Sequence, residues 1–210
     1  MKIFKNRKAA GKILAERLTG IKADLVLGIP RGGVVVASEV AKKLDLPLDI
    51  VVTRKIGAPG QPELALGAVD PDGEVTWEES LMEELSLEAG DLRDEVRKQW
   101  KELKRREDLY ATHKRSHLVK LKGKSVILTD DGMATGSTVL AAVRYLKRHG
   151  AAVTLAIPVA SKDAINKVQS ELGQSAKSIV LEIPEQFRAV GQFYQEFEPV
   201  TDEEVVQLLG

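Results

Sequence analysis

The sequence predicts an α/β protein: a Rossmann-like, doubly wound and mainly parallel five-stranded sheet with an inserted helical hairpin or hood. Three observations carry this prediction. Short apolar runs of strand length recur along the chain. Stretches with apolar residues at helical spacing separate them. Two of the runs end in glycine-containing turns that lead straight into a helix, the βαβ arrangement of a parallel sheet.

Ala9, Ile13, Leu14 and Leu18 recur at helical steps and predict a first helix over 8–18. Residues 24–28 form a buried strand, Pro30-Arg31-Gly32-Gly33 a turn, VVVASEVAKKL a helix and 48–53 a second strand. Residues 56–74 hold two proline-containing turns, which predicts a long mobile loop with a short strand at 64–69. Charged residues then outnumber all others from Asp91 to Arg115, while Leu92, Val96, Trp100, Leu103 and Tyr110 form one narrow stripe. That texture predicts a helical hairpin inserted at about 78–117, broken near Ala89-Gly90, with one packing face. The sheet resumes with strands at 125–129, 152–157 and 178–181 and helices at 136–149 and 161–172. A short C-terminal helix starts after Thr201, a residue type suited to the N-cap. The whole chain, 1–210, is expected to form one domain with a C-terminal hood at about 184–210, where Phe187, Phe193, Tyr194 and Phe197 gather.

Composition bounds the function. The 31 basic and 31 acidic side chains cancel, giving no support for a nucleic-acid surface. With no cysteine, thiol nucleophiles, disulfides and zinc thiolates are excluded. The N-terminus carries a charge every few residues, unlike a signal peptide, and no run is apolar and long enough for a membrane span. A cytoplasmic protein is expected. His113 and His117 lie four apart on the charged helix, where a solvated face outweighs a metal pair.

Residues 126–138, VILTDDGMATGST, concentrate the chemistry. Asp130 and Asp131 end a strand, and burying both without partners would be costly, so they are expected to face a cavity. Ala134, Thr135, Gly136, Ser137 and Thr138 then turn the chain into a helix. Backbone N–H groups and hydroxyls at such a junction make a concave anion site, assisted by the helix dipole. No lysine follows the glycine, so this is not a P-loop, and it is not GxGxxG. Donors for a monophosphate beside two carboxylates for a diol suit a phosphorylated sugar.

This segment resembles the thirteen-residue signature of the type I phosphoribosyltransferases. The resemblance implies that 134–138 hold the 5-phosphate of phosphoribosyl pyrophosphate and that Asp130 and Asp131 bind the ribose hydroxyls. It implies that LGIPRGG (27–33) binds pyrophosphate through Arg31, Gly32 and Gly33, with a cis peptide at Pro30–Arg31. Arg54 or Lys55 would neutralise pyrophosphate, Lys55 being preferred, so Asp130, Asp131 and Lys55 are the expected catalytic residues. Loop 56–74 would close over the reacting centre and exclude water. Mg²⁺ would be held mainly by donor oxygens, with the two aspartates nearby. The implied activity is transfer of a phosphoribosyl group to a nitrogen nucleophile, a nucleobase or related compound. Members acting on 6-oxopurines usually carry aspartate where this chain has Ala134, so the acceptor is left open. The competing functions are a non-catalytic regulator of the same fold and an unrelated nucleotide-binding α/β protein. The charged insertion would serve as a hood, a dimerisation arm of a homo-oligomer or a partner surface.

Overall fold

The computed structural model describes residues 3–111, 121–174 and 176–210. Its centre is a five-stranded parallel sheet in the order β2-β1-β6-β7-β8, made by β1 (Leu25–Gly28), β2 (Leu48–Ile50), β6 (Ser125–Thr129), β7 (Ala152–Val159) and β8 (Ser178–Glu182). Helices cover both faces, α1 (Arg7–Arg17) and α2 (Gly32–Leu44) on one side and α5 (Ser137–Arg148) and α6 (Lys162–Leu172) on the other. Strand alternation sorts the core between them. Val26, Ile127 and Ala156 pack with Leu14, Leu18, Val36 and Val40. Their neighbours Leu25, Leu27, Val126, Leu128 and Leu155 pack with Val139, Val143, Leu146 and Val168. Burial of each larger side chain stabilises the fold by about 1.5–3 kcal/mol. The predicted doubly wound sheet is therefore observed, and β6 lies between β1 and β7 with its loop at their carboxyl ends.

Residues 54–77 differ from expectation. The loop predicted over 56–74 is a second, antiparallel sheet of β3 (Arg54–Ala58), β4 (Gln61–Val69) and β5 (Val75–Trp77). Its proline and glycines are accommodated by position. Pro62 lies at the hairpin end of β4, outside the stretch that pairs with β5, and the register shifts on either side of Gly57. The β4–β5 turn is fastened to the end of α5. Arg148 Nη2 donates to Asp70 Oδ2 at 2.6 Å and Asp72 Oδ2 at 2.9 Å, while Asp70 Oδ1 accepts the Asp72 and Glu74 amides. Asp70 is buried, so Arg148→Ala takes the cation from its Oδ2 and leaves the carboxylate only the two amides on Oδ1. The variant should lose about 1–3 kcal/mol of stability in urea titrations; an unchanged midpoint would show that the fastening contributes nothing. The second parallel strand is also shorter than predicted, ending at Ile50 and leaving Val51–Thr53 as a buried connection.

The insertion is helical as expected. A short α3 (Glu79–Glu84) is followed by α4 (Arg93–Ala111), and the break falls at 85–92. His113, His117 and the rest of the insertion beyond Ala111 lie outside the described residues. Leu92, Leu103 and Tyr110 of the stripe are buried, but Trp100 is 40% exposed and lies over Gly73 instead of in the core. At the other end, α7 (Asp202–Leu209) starts at Thr201, whose side chain accepts from the Glu204 amide in a capping box. The segment expected as a hood, 184–210, does not pack alone. Residues 3–5 pair with 193–196 through backbone hydrogen bonds, so the N-terminal segment packs with it. Phe4, Phe193 and Tyr194 are buried together there, with Phe187 and Phe197 against them.

Candidate active site

The acid pair begins where β6 ends. Asp130 Oδ1 accepts the Asp131 amide at 2.8 Å. Asp131 Oδ2 accepts from Arg7 Nε at 2.7 Å, and both side chains are largely buried, at 15% and 11% exposure. Burial holds the Asp130 carboxyl well above the ordinary carboxylate range, and the neighbouring Asp131 charge adds to the effect. Burial raises Asp131 too, but Arg7 opposes the shift. Both aspartates keep part of their surface open, and Asp131 has the partner that its burial calls for, an ion pair with Arg7. Arg7 was not singled out from the sequence. It lies over the Phe197 ring, 3.7 Å from its centroid, and donates from Nη1 to the Glu198 carbonyl at 2.8 Å. The Tyr194 hydroxyl donates to the Asp131 carbonyl, so α1 and the aromatic cluster of residues 187–197 both bear on one aspartate.

The anion loop follows. Met133 forms a parallel bridge to Ala160, its amide donating to Val159 at 2.9 Å. Ser161 Oγ donates to the Ala134 carbonyl at 2.6 Å. These contacts fasten the turn to the end of β7. Gly136, at φ 79°, caps α5 without a side chain, a left-handed conformation in which a β-carbon would be strained. Ala134 and Thr135 are exposed, Thr138 is half-buried and Ser137 is buried. The Thr135 and Ser137 hydroxyls are 2.9 Å apart. Ser137 Oγ donates to Glu78 Oε1 at 2.7 Å, and Lys167 pairs with the same carboxylate. Glu78 and Lys167 also escaped sequence reading; Glu78, just after β5, ties the antiparallel sheet to the loop through Ser137 and to α6 through Lys167.

The Pro30-Arg31-Gly32-Gly33 turn meets the acid pair directly. The Pro30–Arg31 peptide is cis, as expected. A β-carbon on Gly32 would lie 2.0 Å from Asp131 Oδ2, and one on Gly33 would lie 2.8 Å from Asp130 Oδ1. Only glycine lets the start of α2 approach both carboxylates so closely. Arg31 is exposed at that helix start. Arg54 donates to Gln99 Oε1 at 3.0 and 2.6 Å, facing α4. Its pKa is lowered by burial and then by Arg106. Lys55, the next residue of β3, is half-buried. Among the described residues there is no cluster of three metal-ligating side chains, and no helix is long and apolar enough to cross a membrane.

A glycine turn and an acid pair meeting at the carboxyl ends of adjacent parallel strands lie where doubly wound sheets bind their ligands. The chain belongs to the phosphoribosyl transferase domain family, whose model matches residues 2–191. A protein of Mycobacterium tuberculosis strain H37Rv, named a putative phosphoribosyl transferase, is 41% identical over 212 residues, covering 100% of this chain and 47% of that protein. The chain therefore spans about half the length of the curated relatives it matches. TT1426 from Thermus thermophilus, a crystal structure, is 40% identical with a TM-score of 0.78, covering 100% of this chain and 98% of its own. A hypothetical protein from Neisseria gonorrhoeae, crystallised with bound ppGpp, is 17% identical with a TM-score of 0.52 over 100% and 96% of the two chains, a likeness of fold.

Proposed function

We propose that this chain transfers the phosphoribosyl group of phosphoribosyl pyrophosphate to a nitrogen nucleophile, releasing pyrophosphate. The observation that carries the reading is the meeting of Gly32 and Gly33 with Asp131 and Asp130, which sets an anion-binding helix start against a diol-binding acid pair. Ala134–Thr138 hold the 5-phosphate on backbone N–H groups and hydroxyls at the start of α5. Asp130 and Asp131 accept hydrogen bonds from the ribose 2- and 3-hydroxyls. Arg31, Gly32 and Gly33 bind the leaving pyrophosphate, with Lys55 adding positive charge. Arg54, engaged by Gln99, adds its charge from behind the site.

The adjacent carboxylates of Asp130 and Asp131 supply the kind of oxygen donors that Mg²⁺ takes. Bound there, Mg²⁺ would offset the charge of the departing pyrophosphate. The protein's own contribution is to align the donor's C1 and to stabilise charge as the bond to pyrophosphate breaks. Among the described parts of the antiparallel sheet, the β3–β4 hairpin end is the part able to close and exclude water, since the β4–β5 turn is fastened by Arg148. The acceptor enters beneath the hood of residues 3–7 and 187–198 and is a nucleobase or related nitrogen compound.

A panel of purines, pyrimidines and small amines, assayed for pyrophosphate release with Mg²⁺ and phosphoribosyl pyrophosphate, tests this reading. Release with at least one acceptor is expected. Tight donor binding with no release across the panel would instead favour a regulator.

A further inference from the structure

From the geometry around Asp131 we infer that Arg7 is a positioning residue for the ribose-binding carboxylate, and that it ties this carboxylate to the hood. The inference rests on the proposed role of Asp131 as a diol ligand. A terminal carboxylate rotates easily about its last two side-chain bonds. Here two contacts restrict that freedom and a third holds the backbone beneath it. Arg7 Nε holds Oδ2 at 2.7 Å. The space that a β-carbon on Gly32 would fill is occupied by the same Oδ2. The Tyr194 hydroxyl holds the main-chain carbonyl of the same residue.

The guanidinium is itself immobilised. Its face rests on Phe197 and its Nη1 reaches the Glu198 carbonyl at 2.8 Å. A planar fork can bond two acceptors at fixed angles while stacking on a ring, which the flexible ammonium of lysine cannot reproduce. Arg7 therefore belongs to two structures at once. Through Phe197 and Glu198 it is part of the hood that covers the acceptor, and through Asp131 it sets the donor's diol clamp. Supporting contacts of this kind hold a binding group in its productive geometry.

Ligand dissection by calorimetry separates positioning from general support of the fold. The probes are ribose 5-phosphate, 2-deoxyribose 5-phosphate and inorganic phosphate. The wild-type protein is expected to prefer ribose 5-phosphate over the deoxy sugar by about tenfold, the scale of one charge-assisted hydrogen bond. Arg7→Gln is expected to cut that preference at least fivefold while leaving inorganic phosphate affinity within about twofold. Arg7→Lys, which keeps a cation but loses the fork, should lose about threefold of the preference and decides the matter if the glutamine variant does not fold. A full preference in either folded variant overturns the inference while leaving the diol clamp intact. A uniform loss for all three probes also overturns it, because that is the mark of a structural role. No sugar preference in the wild-type protein overturns the diol clamp itself, and the inference with it.

Discussion

Replacing Asp130 with asparagine is expected to weaken phosphoribosyl pyrophosphate binding by about ten- to hundredfold and, at neutral pH, to make the protein harder to unfold. The loss of binding follows from removing a carboxylate that the donor's ribose hydroxyls and Mg²⁺ would engage in its ionised form, an acceptor worth about 1.5–3 kcal/mol. The gain in stability follows from burial. The Asp130 carboxyl sits well above its ordinary value of 3.8, with burial first and the Asp131 charge second. Without ligand, the folded state therefore keeps a proton that the unfolded chain releases, and stability falls as pH climbs from 3.8 through the raised value. Asparagine bears no such cost and still accepts the Asp131 amide through its own Oδ1. Urea titrations at about pH 4 and pH 7 should show the variant's advantage growing with pH. Asp131→Asn should differ in sign. It leaves the buried Arg7 guanidinium without its carboxylate, so it should lose both binding and stability. Unchanged donor affinity in both variants, measured by calorimetry, would remove the acid pair from the site.

Gly32→Ala is the second large effect. The new methyl carbon would lie 2.0 Å from Asp131 Oδ2, 2.7 Å from its Cγ and 2.8 Å from Arg7 Nε. None of these groups can move freely, since carboxylate and guanidinium hold each other and Phe197 backs the latter. Relief must come from shifting the carboxylate or the start of α2. Overpacking of this kind costs about 1–3 kcal/mol of stability. Because the two parts that must shift are the proposed pyrophosphate loop and the proposed diol clamp, donor affinity should fall by at least about tenfold. A folded Gly32→Ala protein with wild-type donor affinity would show that this approach of the two loops has no part in binding.

The central sheet was legible because each strand is a short apolar run whose neighbours pack on known faces. VILTDDGMATGST was legible because its chemistry is local: one strand, one turn, one helix start. The antiparallel sheet over 54–77 was not, since Gly57, Pro62 and the DPDG turn read as loop signals. The proline's place beyond β5 and the irregular register at Gly57 depend on partners that spacing along one segment does not reveal. Arg7 was hidden for a different reason. It is one basic residue on a charged helix, and its partner Asp131 is 124 positions away. Likewise the N-terminal half of the hood depends on pairing of residues 3–5 with 193–196. Neither carries a motif, and both appear only when the chain ends are brought together by the fold.

Residues 130–138 and 30–33 are proposed to form one donor site. Calorimetric titration of phosphoribosyl pyrophosphate with Mg²⁺ into the wild-type chain tests it most directly. Saturable binding at one site per chain is predicted, competed by pyrophosphate and by ribose 5-phosphate, whose parts the two loops are proposed to hold. An absence of binding, or binding that neither competitor displaces, would contradict it.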